Sequence, residues 1–423
     1  MSATMPVHLP AQAPAQHPQQ VAASQAGPAQ PKVEYSLSGG LLARLAKLKV
    51  SLSFTSYQSG FLYMLGAGPR GGAQLHQSGM PKPMGLCADG PGRLVLSAGA
   101  QLIRLENILE ADQRINQLYD ACFMPRTQNV TGQLDAHDVG VDADGRILFV
   151  NTRYNCLATV SERHSFEEVW RPSFISELVD EDRCHLNGLA MRDGKPAFVT
   201  AVSKSDTIDG WRDRRADGGV VIDVESGAIV CEGLSMPHSP RWHDGKLWVL
   251  NSGTGELGYV EFPDDAPKSA AKAGSKAGAK SAAKSSPKSP SRASTKSGEK
   301  PAEPSNVNTP VMGTFKPVAF CPGFLRGLTF KNGYAFVGLS RPRYKRFEGL
   351  ALDQRLRNAD SEPWCGVQVI DLAKGSCVDW FRIDGAIGEL YDVELIEGFG
   401  CPMTVSPNSP DAATLVTFAG KPE

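Results

Sequence analysis

The residues best placed to do chemistry recur at one position of a repeated segment. Six segments share a pattern of strand, tight turn and second strand, and the position six residues before the turn is polar in five of them. Imidazole, carboxylate and guanidinium groups gathered in one place could bind a small molecule, transfer protons or hold a metal ion. These positions are Pro83, Asp138, Asn187, His238, Arg326 and Tyr391, with His137, Ser239, Asp392 and Glu394 beside them.

The side-chain types at these positions indicate three possible roles. The candidates for acid–base catalysis are His137, Asp138, His238 and Asp392, and His185 is a further histidine that could take part. A divalent metal is one option for a cofactor, with the candidate ligands Asp138, Asn187, His238 and Asp392. The candidates for contact with a ligand are Asn187, Arg326, Tyr391 and Glu394. A structural hydrogen-bond network between neighbouring strands is the alternative to all three.

Two long arginine-rich segments, 203–219 and 340–364, follow the second strand of two repeats. Guanidinium groups bind carboxylate, sulfate or phosphate through paired hydrogen bonds. We therefore expect these segments to cover the polar positions and capture a small anionic ligand, with ordinary solvated loops as the alternative. The residues concerned are Trp211, Arg212, Arg214, Arg215, Arg341, Arg343, Lys345 and Arg346.

The elements that position these residues are predicted to be the blades of a β-propeller. Asp-Gly and Asn-Gly turns supply the positive φ angles of tight hairpins, and a period of about 50 residues with four short strands is typical of blades. The sequence predicts an all-β, six-bladed propeller with four-stranded antiparallel blades; seven blades, separate meanders and a sandwich are alternatives. The turns recur at similar spacing, except that the widest gap contains a lysine-rich insertion. The turn residues are Asp89, Asp144, Asp193, Asp244, Asn332 and Glu397.

The ends of the chain are predicted to close the ring. Too little chain follows the last repeat, 391–405, for two more strands, so strands within 51–67 should complete its blade. Antiparallel order places the start of each first strand and the loop after each second strand on one face. The polar positions and the arginine-rich loops should therefore meet at one mouth of the central channel, with the Asp-Gly turns on the opposite face.

Two segments have compositions that cannot form a core and are predicted to be disordered. They are the Ala/Gln/Pro-rich tail 1–34 and the Lys/Ser/Ala/Pro-rich insertion 264–308, which leave 35–263 and 309–420 as one propeller. From Lys268 to Lys300 the charge is +8, so the rest of the chain carries −1 − 8 = −9. Nucleic acid is a partner only through the insertion, and such binding would depend steeply on salt. Leu41–Leu48 could form one amphipathic helix.

The cysteines and the absence of export signals predict a cytoplasmic protein. Nine cysteines lie singly, which suits reduced thiols. No apolar run approaches the roughly 18 residues that a membrane span needs. The first charged residue is Lys32, so the basic region of a signal peptide is missing. Walker A, GxGxxG, HExxH and GxSxG motifs are also missing, which sets aside the enzyme classes that depend on them.

Motifs in at least five repeats resemble one bacterial family of conserved hypothetical proteins, a domain of unknown function. They include AHDVG, HLNGLA, MPHSPRWHDGKLWVLNSGTGELG, LRGLTF and YDVEL, and the resemblance spans about 50–405. It implies a propeller without an assigned activity. A weaker, fold-level similarity is to the gluconolactonase and regucalcin group (NHL/SMP-30-like propellers), in which Asn187 resembles a metal ligand. That group's ligating glutamate has no counterpart here, and Arg326 puts a cation where the metal should lie.

These observations predict a propeller that binds a small anionic ligand at the channel mouth. An enzyme of lactonase or hydrolase type acting on an acidic metabolite is one form of this function. A non-catalytic protein-binding or scaffolding propeller is the alternative.

Overall fold

A computed structural model describes residues 32–263, 311–341 and 348–418, which form a six-bladed β-propeller. Each blade has four antiparallel strands, and two blades carry a fifth strand at the outer edge. The predicted all-β class, blade number and antiparallel order are confirmed. Within these ranges, no helix is both long and apolar enough to cross a membrane.

The strands fill the blades almost in chain order. β1 (Val33–Leu37) edges blade 6, and blade 1 begins with β2 (Val50–Ser56), β3 (Phe61–Ala67) and β4 (Ala73–Gly79). Blade 2 has β5 (Pro83–Ala88), β6 (Arg93–Ala98), β7 (Gln101–Asn107) and β8 (Ala121–Val130). Blade 3 has β9 (Ala136–Val141), β10 (Ile147–Asn151), β11 (Cys156–Thr159) and β12 (Glu167–Trp170). Blade 4 has β13 (Leu186–Arg192), β14 (Lys195–Ala201), β15 (Gly219–Asp223) and β16 (Ile229–Leu234).

The remaining strands complete the ring. Blade 5 has β17 (Pro237–His243), β18 (Lys246–Asn251), β19 (Glu256–Glu261) and β20 (Thr314–Phe320). Blade 6 has β21 (Phe324–Lys331), β22 (Tyr334–Ser340), β23 (Cys365–Asp371) and β24 (Ser376–Gly385). β25 (Val393–Glu397) is the inner strand of blade 1, and β26 (Pro402–Thr404) edges blade 2. The helices are α1 (Leu41–Leu48), α2 (Ala351–Asn358) and α3 (Pro410–Thr414).

The N-terminal strands close the ring, as predicted, but the last repeat does not form a hairpin. β2 pairs with β25 from Val50↔Glu397 to Phe54↔Val393, so the edge of β25 that a returning strand would need is already occupied. The chain after β25 instead crosses to blade 2, where β26 pairs in parallel with β8. Gly66 allows this crossing, because a Cβ there would lie 2.1 Å from the Gly400 carbonyl oxygen.

The predicted helix 41–48 is confirmed, and its apolar face packs on the ring closure. Leu41, Leu45 and Leu48 are buried in a cluster formed by residues of blades 1 and 6. β1 pairs with β24 and begins at Val33, so the last two residues of the predicted tail belong to a strand. Residues 1–31 of that tail and the predicted disorder of 264–308 lie outside the described residues.

The inner hairpins have turns of two lengths. In blades 4, 5 and 6 the turns are two residues long, and both residues have positive φ, as at Asp193 and Gly194. In blades 2 and 3 the backbone N–H groups of Asp89 and Asp142 donate to the carbonyls of Arg93 and Arg146, which leaves three residues in each turn. This difference of one residue changes the offset between the turn aspartate and the strand, and so it affects a count made from the turn.

Candidate functional site

Six residues form a ring at one mouth of the channel, and the hairpin register identifies them. In blades 2 to 6, each lies five positions before the residue whose backbone closes the inner hairpin. Blade 1 has no such hairpin, and its member is Tyr391, whose N–H donates to the Thr55 carbonyl at 2.8 Å. The ring residues are Met84, His137, Asn187, His238, Arg326 and Tyr391.

Two ring positions differ by one residue from those predicted. The count from the turn gave Pro83 and Asp138, whereas the ladder places Met84 and His137 in the ring. The reason is that blades 2 and 3 have longer turns, so the turn aspartate from which the count starts lies at a different distance from the strand. Asn187, His238, Arg326 and Tyr391 lie where the sequence predicted.

Arg326 lies between two aromatic rings, each of which contacts a histidine. Its guanidinium carbon is 5.3 Å from the ring centre of Tyr391 and 5.2 Å from that of Phe324. The Tyr391 ring meets the His137 ring at 5.6 Å, and the Phe324 ring meets the His238 ring at 5.3 Å, both edge to face. One aromatic ring therefore separates the guanidinium from each of two imidazoles.

Arg326 is a buried cation that makes no ion pair within the part of the chain that the structure describes. The residue is only 8% exposed, and its Nε has no hydrogen-bond partner there. Its Nη1 lies 3.5 Å from the Tyr57 hydroxyl, which in turn donates to Glu389. Burial raises the pKa of Glu389, and the positive charge of Arg326 partly offsets this effect. A buried charge without a counterion costs several kcal/mol, so this position is suited to an anion.

The two histidines that flank Arg326 are neutral and share one tautomer. Nδ1 of His137 lies 2.7 Å from the Asp135 carbonyl oxygen, and Nδ1 of His238 lies 2.8 Å from that of Met236. A carbonyl oxygen only accepts, so Nδ1 carries the proton in both rings. Burial lowers the pKa of His137 to about 3, and burial together with the charge of Arg326 lowers that of His238 well below its usual value. Each Nε2 therefore presents a lone pair at neutral pH.

A third histidine, His185, lies next to the ring of six residues at the channel mouth. Its Nδ1 lies 2.6 Å from Oδ2 of Asp182, and its ring meets that of His137 at 5.0 Å. Trp211 stacks on its other side at 4.2 Å. A carboxylate that holds Nδ1 fixes the orientation of an imidazole and leaves Nε2 for proton transfer. His185 precedes β13, at φ +52°, so a count along the strands misses it.

The two long loops meet on the same face as the ring. Trp211, from the first loop, packs in one apolar cluster with Phe324 and with Leu350, Leu352 and Leu356 of the second loop and α2. The arginines of the first loop bind groups within that loop. Arg212 pairs with Asp209 at 2.8 Å, Arg214 donates to the Gly210 carbonyl, and Arg215 donates to the Arg212 carbonyl at 2.9 Å. Trp211 is the side chain of the first loop that stacks on His185 and packs in the cluster with Phe324.

The second loop is described only in part. Arg341 donates to the carbonyls of Gly385 and Ile387, at 2.7 and 2.8 Å, and so fastens the segment before the inner strand of blade 1. The predictions for Arg343, Lys345 and Arg346 lie outside the described residues.

Asp138 and Asp392 each follow a ring residue by one position and lie deeper in the channel. They bind the cation Arg241, which was not predicted from the sequence. Arg241 of blade 5 donates from Nη1 to Oδ2 of Asp138 at 2.8 Å, and its Nη2 lies 3.6 Å from Oδ1 of Asp392. The two carboxylates also accept the backbone N–H groups of Leu189 and Leu86, each in the next blade. Burial, reinforced by the charge of Asp138, raises the pKa of Asp392 to about 8, even though Arg241 opposes the shift. This arrangement fastens blades to one another.

The same layer alternates between polar side chains and glycine. Asp138 and Asp392 belong to blades 3 and 1, and in blade 5 Ser239 accepts the N–H of Gly327 of the next blade at 3.0 Å. In the alternate blades a Cβ would clash with the neighbouring inner strand. It would lie 2.9 Å from Cα of Asp138 at Gly85, 3.0 Å from N of Ser239 at Gly188 and 2.4 Å from N of Val393 at Gly327.

The remaining predicted ligand contacts have partners within the protein. Asn187 donates from Nδ2 to the Pro237 carbonyl at 3.0 Å. Glu394 lies deeper, accepts from the Thr329 hydroxyl at 2.8 Å and lines a cavity of about 440 Å³ on the turn face. Among residues 32–263, 311–341 and 348–418, no three His, Cys, Asp or Glu side chains are grouped as a metal site. Of the proposed metal ligands, Asp138 and Asp392 face the guanidinium of Arg241.

Comparison with known proteins identifies a family. The family described as "Domain of unknown function (DUF4915)" matches residues 40–274 and 305–405. Among solved structures, a nidogen/laminin complex is 10% identical over 82% of this chain and 99% of that chain, with a TM-score of 0.43. A gluconolactonase from Xanthomonas campestris is 13% identical over 78% and 84%, with a TM-score of 0.39. A virginiamycin B lyase from Staphylococcus aureus is 9% identical over 84% and 99%, with a TM-score of 0.36. No curated protein matches the sequence.

Proposed function

The chain belongs to the DUF4915 family, whose description names no activity, and we propose that it binds a small organic anion at the channel mouth, with Arg326 as the anchor. The observation that carries this proposal is the buried guanidinium of Arg326, which makes no ion pair within the described ranges. A carboxylate is the natural counterion, since it can accept two parallel hydrogen bonds from one guanidinium.

The surroundings of Arg326 favour an anion over a cation. Its neighbours His137 and His238 are neutral. Asp138 and Asp392, one layer below, both face the guanidinium of Arg241. An arriving carboxylate would therefore meet one positive charge that no side chain of the described residues neutralises at close range. Burial also strengthens the attraction, because the effective dielectric constant falls below that of water.

The test compares the chain with Arg326→Met by calorimetric titration and thermal shift against a panel of small carboxylates. We expect at least one acid to raise the Tm of the wild type and to lose its binding in Arg326→Met. The matched control is Arg382→Met, which removes a half-exposed arginine of the outer strand β24 that pairs with Asp384. This control should bind as the wild type does.

The stability of Arg326→Met without ligand separates a binding role from a structural one. If Arg326 is held for a ligand, replacing its unpaired charge with an apolar side chain should leave the unfolding free energy equal or higher. If Arg326 supports the fold, the variant should lose about 3–5 kcal/mol, as for a broken buried pair. A large loss, together with unchanged binding of acids, would refute the proposal.

Hydrolysis of an ester or lactone of such an acid is a second candidate, favoured by the Asp182–His185 pair. The Nε2 of His185 would take a proton from water while the water oxygen attacks the acyl carbon, and the leaving alcohol would receive that proton. The test measures acid release from a panel of esters and lactones by the wild type and His185→Gln. Activity that is lost in His185→Gln, while acid binding persists, would support this candidate; equal rates would refute it.

A further inference from the structure

The hydrogen-bonding groups around Arg326 also specify what else the ligand must carry. An arginine offers only donors, whereas a neutral imidazole with its proton on Nδ1 offers only an acceptor at Nε2. His137 and His238 both hold this tautomer, because each Nδ1 is bound to a backbone carbonyl at 2.7 or 2.8 Å. Neither Nε2 is hydrogen-bonded to any residue that the structure describes.

A simple carboxylate cannot satisfy these groups. Its oxygens accept hydrogen bonds, so they would match Arg326 but would face the imidazole lone pairs without a proton between them. Besides its carboxylate, the ligand must therefore supply two hydrogen-bond donors, one for each histidine. A hydroxyl group meets this need without adding charge.

We propose that the ligand is a hydroxylated carboxylic acid, whose carboxylate pairs with Arg326 and whose hydroxyls donate to Nε2 of His137 and His238. The inference rests on the proposed function, because it takes the carboxylate on Arg326 as given. The edge-to-face contacts through Tyr391 and Phe324 place one imidazole on either side of the guanidinium, each a single aromatic ring away. An acid with hydroxyls on its carbon chain offers an acceptor to the guanidinium and donors to the imidazoles.

An ammonium group could also donate to the histidines, but its charge is less suitable. It would stand close to Arg326, whose positive charge already disfavours a second one at His238. The acidic groups that act on His137 are Asp135 and Asp182, which already pair with Lys82 at 2.5 Å and with His185 at 2.6 Å. An amino acid therefore serves as the comparison in the test.

The test titrates the full-length chain with matched acids: propionate, lactate, glycerate and alanine, then butyrate and threonate. Each hydroxyl that reaches a histidine should tighten binding by roughly three- to tenfold. We expect glycerate to exceed lactate, lactate to exceed propionate and threonate to exceed butyrate. His238→Phe should abolish at least one step of this preference, whereas His238→Gln should keep it, because the amide oxygen also accepts.

The control variant is His243→Phe, which removes a histidine from the other end of the same strand and should leave every ratio unchanged. A second readout needs no variant: in ¹⁵N spectra of the histidines, glycerate should shift two unprotonated Nε2 resonances and propionate should not.

The outcomes distinguish this inference from the proposed function. Equal binding of glycerate and propionate, both dependent on Arg326, would overturn the hydroxyl requirement and leave the anion site standing. Tighter binding of alanine than of glycerate would overturn it in favour of an amino acid. Failure of all these acids to bind would overturn the hydroxy-acid inference, and the wider panel would then decide the anion site.

Discussion

Replacing Arg241 with methionine should destabilise the propeller, and the loss should depend on pH. The side chain of Arg241, which is 21% exposed, lies between the buried carboxylates of Asp138 and Asp392, at 2.8 and 3.6 Å. Removing one partner from a buried ion pair costs about 3–5 kcal/mol, because the other charge stays buried without compensation. Here two carboxylates would remain, so the upper end of this range applies at high pH.

The pH dependence follows from Asp392. Its folded pKa of about 8 is above the value of about 3.9 for an unfolded aspartate, so its contribution to stability is present at low pH and is lost as pH rises through 8. Arg241 lowers this pKa, so Arg241→Met should raise it further. Because pH 9 is only one unit above the wild-type pKa of about 8, that rise can add at most about 1.4 kcal/mol to the loss at pH 9. At pH 5 Asp392 is protonated and the loss should be smaller.

Urea denaturation at pH 5, 7 and 9 measures these differences. Arg212→Met is the control, since Arg212 is 53% exposed and pairs with Asp209 on the surface, and its loss should stay below about 1 kcal/mol at every pH. Arg241→Met/Asp392→Asn should recover part of the stability at pH 9. A loss for Arg241→Met below about 1 kcal/mol, or one that is the same at pH 5 and 9, would refute this account of the channel.

Two further predictions concern other parts of the chain. The folded pKa of His137, about 3, lies below the unfolded value of about 6.5, so the unfolded state binds more protons and stability falls as pH drops through this range. At pH 5 the contribution of His137 is a loss of about 2 kcal/mol, and urea midpoints should show a smaller acid effect in His137→Gln than in the wild type. Replacing 266–306 with a short Gly/Ser linker should change the Tm by less than about 5 °C, because loop closure depends weakly on length and β19 pairs with β20 from Glu256↔Phe320 to Glu261↔Thr314. A larger drop would show that the insertion contributes to the fold.

The sequence predicts the blades well because their signals are local. A two-residue turn with positive φ needs Asp-Gly or Asn-Gly between alternating strands, and three inner hairpins have this form. The path of the last repeat depends instead on which edge of β25 is free. β2, which lies near the other end of the chain, pairs with the edge that a returning strand would need. Strand pairing at that separation leaves no local pattern.

The positions of the ring residues could be predicted from the sequence to within one residue, but the pairing of the charges around them could not. The count from a two-residue turn gives His238 and Arg326 correctly, whereas the three-residue turn of blade 3 makes the same count give Asp138 in place of His137. Arg241 carried no signal, because an arginine three positions beyond a ring residue gains its meaning only from carboxylates in two other blades. The glycine alternation was visible in principle: MGLC, NGLA and RGLT alternate around the ring with HDVG, HSPR and YDVE.

That alternation explains why the aspartates of the channel and the ring above them have different roles. Asp138, Ser239 and Asp392 each occupy the space that a glycine leaves in the preceding blade, and each holds the following blade by accepting one of its backbone N–H groups. Because the pKa of Asp392 is raised to about 8, this carboxyl is protonated at neutral pH, and the charge of Arg241 is balanced by Asp138. The ring residues one position earlier are under no such constraint. The charge of Arg326 and the acceptors of His137 and His238 therefore remain available to a ligand, which is why we place binding in the ring and blade cohesion in the layer below.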